Sequence, residues 1–101
     1  MKILLTASMP HEPFNNLVKE GKADQVMGSI LEDLKPLSVY FTEIDGKRTA
    51  LLIIEMENSS EIPKYAEPFF LNFNADCSFR IVMDSNDLKN AGLEELGKKW
   101  G

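Results

Sequence analysis

The pair Asp45-Gly46 constrains the fold of this chain more than any other feature. Asp-Gly is a preferred pair for a two-residue type I′ turn, and the strand-like sequence SVYFTEIDGKRTALLIIEM surrounds it. A turn there predicts an antiparallel hairpin with one register. The expected facing pairs are Val39–Leu52, Tyr40–Leu51, Phe41–Ala50, Thr42–Thr49, Glu43–Arg48 and Ile44–Lys47. This register gives the hairpin one almost wholly apolar face and one mixed face.

The segments before the hairpin predict a strand followed by helix. KILLTASM, residues 2–9, is strand-like and ends at Pro10. Residues 11–35 carry apolar side chains at helical spacing, and Pro36 closes the segment. Gly21 either divides this stretch into two helices or bends one long helix.

The segments after the hairpin repeat the pattern and add a tail. Residues 60–71 predict a helix with Ser60 as its N-cap, and Pro68 is expected to kink it or end it early. DCSFRIVMD then predicts the last strand. Ser85 is expected to cap a helical tail that is interrupted at Gly92. The tail's apolar side chains, Leu93, Leu96 and Trp100, are expected to pack down.

This order of elements predicts one α+β domain over residues 1–101. It fits a ferredoxin-like βαββαβ sandwich with an antiparallel sheet in the order 4-1-3-2 and a C-terminal helical tail. The helices are expected to cover the apolar face of the sheet, which carries Ile3, Leu5, Ala7, Val39, Phe41, Leu52, Ile54, Phe79 and Ile81. We call the opposite side the open sheet face; it carries Leu4, Thr6, Ser8, Tyr40, Leu51, Ile53, Arg80 and Val82. Apolar patches of this size usually mark interfaces, so a homodimer is expected.

The element order of residues 2–84 resembles the dimeric α/β-barrel superfamily, in which two ferredoxin-like sheets join into a barrel. The stretches PHEPFN, AEPFFLNFNAD and GLEELGKKWG are similar to those of small uncharacterised bacterial proteins. The superfamily includes cofactor-free monooxygenases, isomerases, dehydratase-like and haem-handling proteins. The resemblance implies a homodimer with a ligand held between sheet and helices or inside the barrel. No catalytic motif of those members matches particular residues here.

Composition disfavours several classes of function. The formal net charge is −5, and the basic residues are spread along the chain, which argues against binding to nucleic acid or to an anionic membrane. Cys77 is the only cysteine, so the chain has no internal disulfide and no CxxC metal site. A reducing compartment, the cytoplasm, is the expected location. No metal or cofactor is expected.

One candidate site lies at the end of the first strand. The predicted topology brings the PHEP loop, the Asp45-Gly46 turn and the NFNAD segment to the same edge of the sheet, so His11 and Asp76 are candidate catalytic residues. A histidine oriented by a carboxylate is a usable general base near neutral pH. The alternative is that His11 is solvated and NFNAD is turn chemistry. An EF-hand is excluded, because counting from Asn72 its sixth and twelfth positions hold Cys77 and Met83.

Arg80 is the second candidate, because a charged side chain in the middle of a strand needs a partner. It would anchor an anionic ligand, with Tyr40, Thr6 and Ser78 as neighbouring ligand-binding residues. The alternative is an ion pair between subunits. Cys77 is expected to be a structural thiol. The sequence therefore predicts a protein that binds a small, anionic organic molecule, with cofactor-independent enzyme activity left open. The alternative is a non-catalytic dimerisation module.

Overall fold

The chain folds as a four-stranded antiparallel sheet with helices packed on one side. A computed structural model describes residues 1–101. The elements are β1 (Lys2–Met9), α1 (His11–Lys19), α2 (Ala23–Leu34), β2 (Ser38–Ile44), β3 (Lys47–Glu55), α3 (Ile62–Phe73), β4 (Asp76–Ile81), α4 (Ser85–Lys89) and α5 (Leu93–Trp100). The strand order is β2-β3-β1-β4. This is the predicted ferredoxin-like βαββαβ fold with a C-terminal helical segment.

The β2–β3 hairpin has the predicted register at every predicted pair, from Val39–Leu52 to Ile44–Lys47. Asp45 and Gly46 both have positive φ, at 56° and 76°. That is the backbone geometry of a type I′ turn, which glycine adopts without strain. The Glu43 carboxylate also accepts a hydrogen bond from the Gly46 N–H at 3.0 Å, which braces the turn.

The core lies between the sheet and the helices. Its fully buried members include Leu5 on β1, Leu52 on β3, and Phe69 and Phe73 on α3. Alternate residues of each central strand face the helices, because side chains alternate across a strand. The predicted apolar face is therefore the covered face in the centre of the sheet.

The helical segments differ from the prediction in detail. Gly21, at φ +71°, separates α1 from α2, which decides between the two alternatives. A 3-10 turn at Ser59–Glu61 precedes α3, and its cap is Asn58, not Ser60. Pro68 does not end α3, which continues to Phe73. A proline inside a helix costs about 3 kcal/mol, and the buried apolar face of α3 offsets that cost.

The NFNAD segment serves to end a helix and begin a strand. Asn74 is the C-cap of α3 in the left-handed conformation, with φ 53°, which asparagine tolerates better than most residues. The Asn72 side chain donates a hydrogen bond to the Pro68 carbonyl at 2.8 Å. Asp76 is the first residue of β4. The turn interpretation of this segment accounts for both asparagines.

Two residues expected beneath the helices are exposed. Phe41 on β2 is 56% exposed and Ile81 on β4 is 66% exposed. Both lie on the two outer strands of the sheet, and the helix layer does not extend over either residue. The prediction was wrong here because alternation along a strand identifies a face of the sheet and not how far the helices reach across it.

The C-terminal segment projects away from the domain, contrary to the prediction that it packs down. Asp84 caps α4, in place of the predicted Ser85, and pairs with Lys2 at 3.7 Å. Gly92, at φ +74°, separates α4 from α5 as expected. Every residue from 83 to 101 is exposed. We call residues 85–101 the arm. With it the chain measures 59 × 27 × 20 Å.

Candidate functional site

A groove opens where α1 and α2 leave the β2 edge of the sheet uncovered. We call it the Arg48 groove; its volume is about 480 Å³. Its floor is the buried pair Met9 and Thr49. Its walls are formed by Phe14, Val18, Ala23, Asp24, Met27, Gly28, Leu31, Phe41, Thr42 and Arg48. The volume lies in the range of small-molecule pockets, about 300–1,000 Å³.

The cation of the groove is Arg48 on β3. Its Nη1 donates a hydrogen bond to Asn15 Oδ1 at 2.8 Å, and its guanidinium carbon lies 4.7 Å from the centre of the Phe14 ring. The side chain is half-buried, and no carboxylate lies within ion-pair distance. Glu43 faces Arg48 in the hairpin, but its carboxylate is hydrogen-bonded to the turn at Gly46. The guanidinium therefore keeps unused donors beside an apolar cavity.

A stack of side chains holds Arg48 in place. The Phe14 ring lies between the guanidinium and the buried ring of Phe73, whose centre is 5.1 Å away. Phe73 in turn lies 6.4 Å from Phe69 in the core. Aromatic pairs at these distances are stabilising, and a guanidinium over a ring adds a cation–π contact. The position of Arg48 is thus set by the core through Phe14 and by α1 through Asn15.

The opposite wall of the groove is formed by α2, where Gly28 leaves open space. A β-carbon placed on Gly28 would meet no atom within 4 Å. Asp24, in the first turn of α2, is exposed and lines the same groove. The groove thus has one cation, one carboxylate and the hydroxyls of Thr42 and Thr49. No histidine or cysteine lines it.

The structure places His11 and Asp76 at the same edge of the sheet, as expected from the topology. Asp76 pairs with Ser8 near the end of β1, and His11 is the first residue of α1. Both side chains are exposed, and none of the ion pairs in the structure joins them. Their catalytic role stays a prediction.

The ligand-binding residues predicted from the sequence all lie on the open sheet face. Tyr40, Leu51, Thr6 and Ser78 form one row across the four strands, and Arg80 stands beside Leu4 in an adjacent row. Tyr40 and Ser78 are three strand spacings apart, about 14 Å. Tyr40, Ser78 and Arg80 are exposed. Their predicted role in binding a ligand stays a prediction.

Cys77 lies on the helix-facing side of β4 and is half-buried. Burial, and to a smaller extent the nearby charge of Asp76, raises the pKa of its thiol from 9.0 to about 11. The thiolate is the nucleophilic form, so this environment suppresses reactivity near neutral pH. It fits the expectation of a structural thiol.

The Arg48 groove was not predicted from the sequence. The predicted register placed Arg48 opposite Glu43, and neither residue was predicted to have a functional role. The available signal was that Arg48 occupies the otherwise apolar face of β3, two residues before Ala50 and four before Leu52. Phe41 was assigned to the core, although it stands on an outer strand. The groove depends on where α1 and α2 lie, which no local pattern specifies.

The chain contains no cluster of three or more His, Cys, Asp or Glu side chains placed to hold a metal ion. Its helices are all too short or too polar to cross a membrane. Comparison of the chain with protein-family models, with curated proteins and with solved structures found no match.

Proposed function

We propose that the protein binds a small organic monoanion with a largely apolar body in the Arg48 groove. The observation that carries the proposal is Arg48 itself: a half-buried guanidinium with no carboxylate partner, at the wall of a cavity of about 480 Å³. A buried or half-buried charge is stable when it is paired, and a ligand carboxylate or similar anion supplies that pair.

The lining of the groove defines the class of ligand. Most of its side chains are apolar or aromatic, among them Phe14, Met27, Leu31 and Phe41, which suits an aromatic or aliphatic body. Asp24 stands in the same groove and disfavours a second negative charge on the ligand. The groove offers no histidine or cysteine for acid–base or nucleophilic chemistry, which favours binding over catalysis.

Two probes of one shape test the proposal: naphthalene-2-carboxylate, an anion, and 2-naphthylmethanol, its neutral counterpart. Binding is followed by titration of ¹⁵N-labelled protein and the shifts of its backbone amides. We expect the carboxylate to bind more tightly and to shift Gly28, Thr42 and Thr49. Arg48→Gln should weaken carboxylate binding about 10- to 150-fold, since hydrogen bonds to charged groups contribute about 1.5–3 kcal/mol. Binding of the alcohol should change little.

Two further variants make the test specific. Gly28→Leu places a side chain in open space of the groove, so it should abolish binding of both probes while the protein remains folded. Arg80→Gln removes the other arginine, on the open sheet face, and should leave binding intact. If the carboxylate instead shifts Tyr40 and Arg80, and Arg80→Gln weakens it, the ligand site is on the open sheet face and the groove proposal is refuted.

A second function, dimerisation, is favoured by the open sheet face. Leu4, Leu51, Ile53 and Val82 are only half-buried there, and no helix of the chain covers them. We propose that two copies pack through this face. Sedimentation equilibrium should give a dimer that Leu51→Glu dissociates and that Leu71→Glu, on the outer side of α3, leaves intact. A wild-type monomer at all concentrations would refute this proposal and leave the Arg48 groove unaffected.

A further inference from the structure

The arm carries an apolar stripe that nothing in its own chain covers. Leu93, Leu96 and Trp100 recur at positions i, i+3 and i+7 of α5, on one side of the helix. They are 59%, 45% and 77% exposed. This spacing is that of a helix that lays its apolar side against a partner surface.

The helix itself needs such a surface. An isolated helix shorter than about 12–15 residues is marginal in water, and α5 has 8. The Gly92 interruption separates α5 from the five-residue α4, so neither extends the other. A stable α5 therefore requires packing that this chain does not provide.

The solvent-accessible surface area of the chain indicates how much surface a partner would have to cover. The chain exposes 7067 Å², whereas a folded monomer of 11.4 kDa exposes about 5,800 Å². Its radius of gyration is 17.0 Å, against about 13 Å for a compact chain of this length. The excess is about 1,300 Å² per chain, and a stable interface buries about 800 Å² on each partner. A second copy with the same excess is sufficient to cover it.

We propose that the arm is a dimerisation clasp, in which the stripe of each copy packs against the second copy. This inference rests on the dimer proposed above. The arm leaves the domain just after Val82, whose N–H donates to the Lys2 carbonyl at the β4 edge of the open sheet face. Two sheets packed face to face lie about 10 Å apart, so the arm starts beside the second copy. Helices α4 and α5 add about 7 and 12 Å, enough to reach around its edge.

Charge is consistent with a second copy as the occupant. The arm contains three acidic side chains (Asp87, Glu94, Glu95) and three basic ones (Lys89, Lys98, Lys99), so it is neutral. The remaining 84 residues then carry the whole formal charge of −5. A neutral arm with lysines near its tip approaches an acidic second copy without the repulsion that two acidic domains exert on each other.

Trp100 is the only tryptophan and reports directly on the contact. Its fluorescence is recorded on the full chain over a dilution series, in parallel with sedimentation equilibrium. We expect short-wavelength emission in the dimer, shifting to the emission of a water-exposed indole as the dimer dissociates. Leu96→Ser should raise the dimer dissociation constant about tenfold or more, because it removes a buried leucine from the interface. The control variant Leu71→Ser, at a leucine of α3 that is 79% exposed, should leave the dimer dissociation constant unchanged.

The other outcomes each overturn the clasp and identify what failed. A monomer at every concentration refutes both the dimer and the clasp. A dimer with water-like Trp100 emission, or one that Leu96→Ser does not weaken, refutes the clasp alone. Short-wavelength emission that persists where sedimentation shows a monomer means that the arm folds back on its own chain. A dimer weakened equally by Leu96→Ser and Leu71→Ser would show that the stripe has no specific role.

Discussion

Replacing Phe73 by alanine tests the core and the groove together. Phe73 is fully buried on α3, and its ring contacts those of Phe14 and Phe69. Removing a buried phenylalanine costs about 3–5 kcal/mol, from lost transfer free energy and the cavity left behind. That is a large part of the 5–15 kcal/mol typical of a domain. The control is Phe70→Ala on the same helix, where the ring is 39% exposed and the loss should be under about 1.5 kcal/mol.

Urea unfolding followed by circular dichroism measures the difference. With a slope of about 1–3 kcal/mol per molar urea, a gap of 2 kcal/mol between the variants separates their midpoints by about 1 M. Phe73→Leu, expected to lose about 1–2 kcal/mol, provides a milder variant should the alanine variant not fold. Binding of naphthalene-2-carboxylate should weaken in Phe73→Ala, because Phe14 loses its support beneath Arg48. Equal losses of stability for Phe70→Ala and Phe73→Ala would refute the orientation of α3, in which Phe73 is buried in the core and Phe70 is exposed.

The further predictions concern β4, the hairpin and α2. The pKa of Cys77, raised from 9.0 to about 11, predicts reaction with a thiol reagent about a hundredfold slower at pH 8 in the folded chain than in urea. Equal labelling rates in the folded and unfolded states would contradict the raised pKa. Above pH 9 the unfolded thiol ionises before the folded one, so the free energy of unfolding should fall between pH 9 and 11, and it should fall less in Cys77→Ala. Gly46→Ala should lower the free energy of unfolding by about 1–2 kcal/mol, because the φ of Gly46 is +76°; a variant as stable as the wild type would contradict the turn. Gly28→Ala, within helix α2, should raise the free energy of unfolding by up to about 1 kcal/mol.

Short-range sequence signals were sufficient for the strands and for the β2–β3 pairing. Asp45-Gly46 determines the hairpin register because a two-residue turn leaves no freedom in which residues face each other. Alternation along β1 and β3 identified Leu5 and Leu52 as core residues, because successive side chains of a strand point to opposite faces of the sheet. The helix limits were less accurate: Pro68 suggested an early end to α3, but the burial of Phe69 and Phe73 outweighs the lost hydrogen bond.

The candidate site could not be predicted in the same way. Arg48, Phe14 and Gly28 lie on three different elements. They line one groove only because of the positions in which α1 and α2 pack on the sheet. Arg80 was predicted to bind a ligand because it is a charged residue in the middle of a strand. Arg48 satisfies the same criterion but was not among the predicted site residues; in the structure it faces Glu43 without forming an ion pair.

The sequence by itself determined the order of the elements, the hairpin register and the core of the central strands, because these follow from contacts between near neighbours or from side-chain alternation. Only the tertiary structure decided how far the helices cover the sheet. Because the helices cover only part of the sheet, Phe41 and Ile81 are exposed and the Arg48 groove is open. The arm packs against no part of its own chain. Coverage depends on the positions of whole helices, which are set by the sum of many weak packing contacts and not by any local pattern.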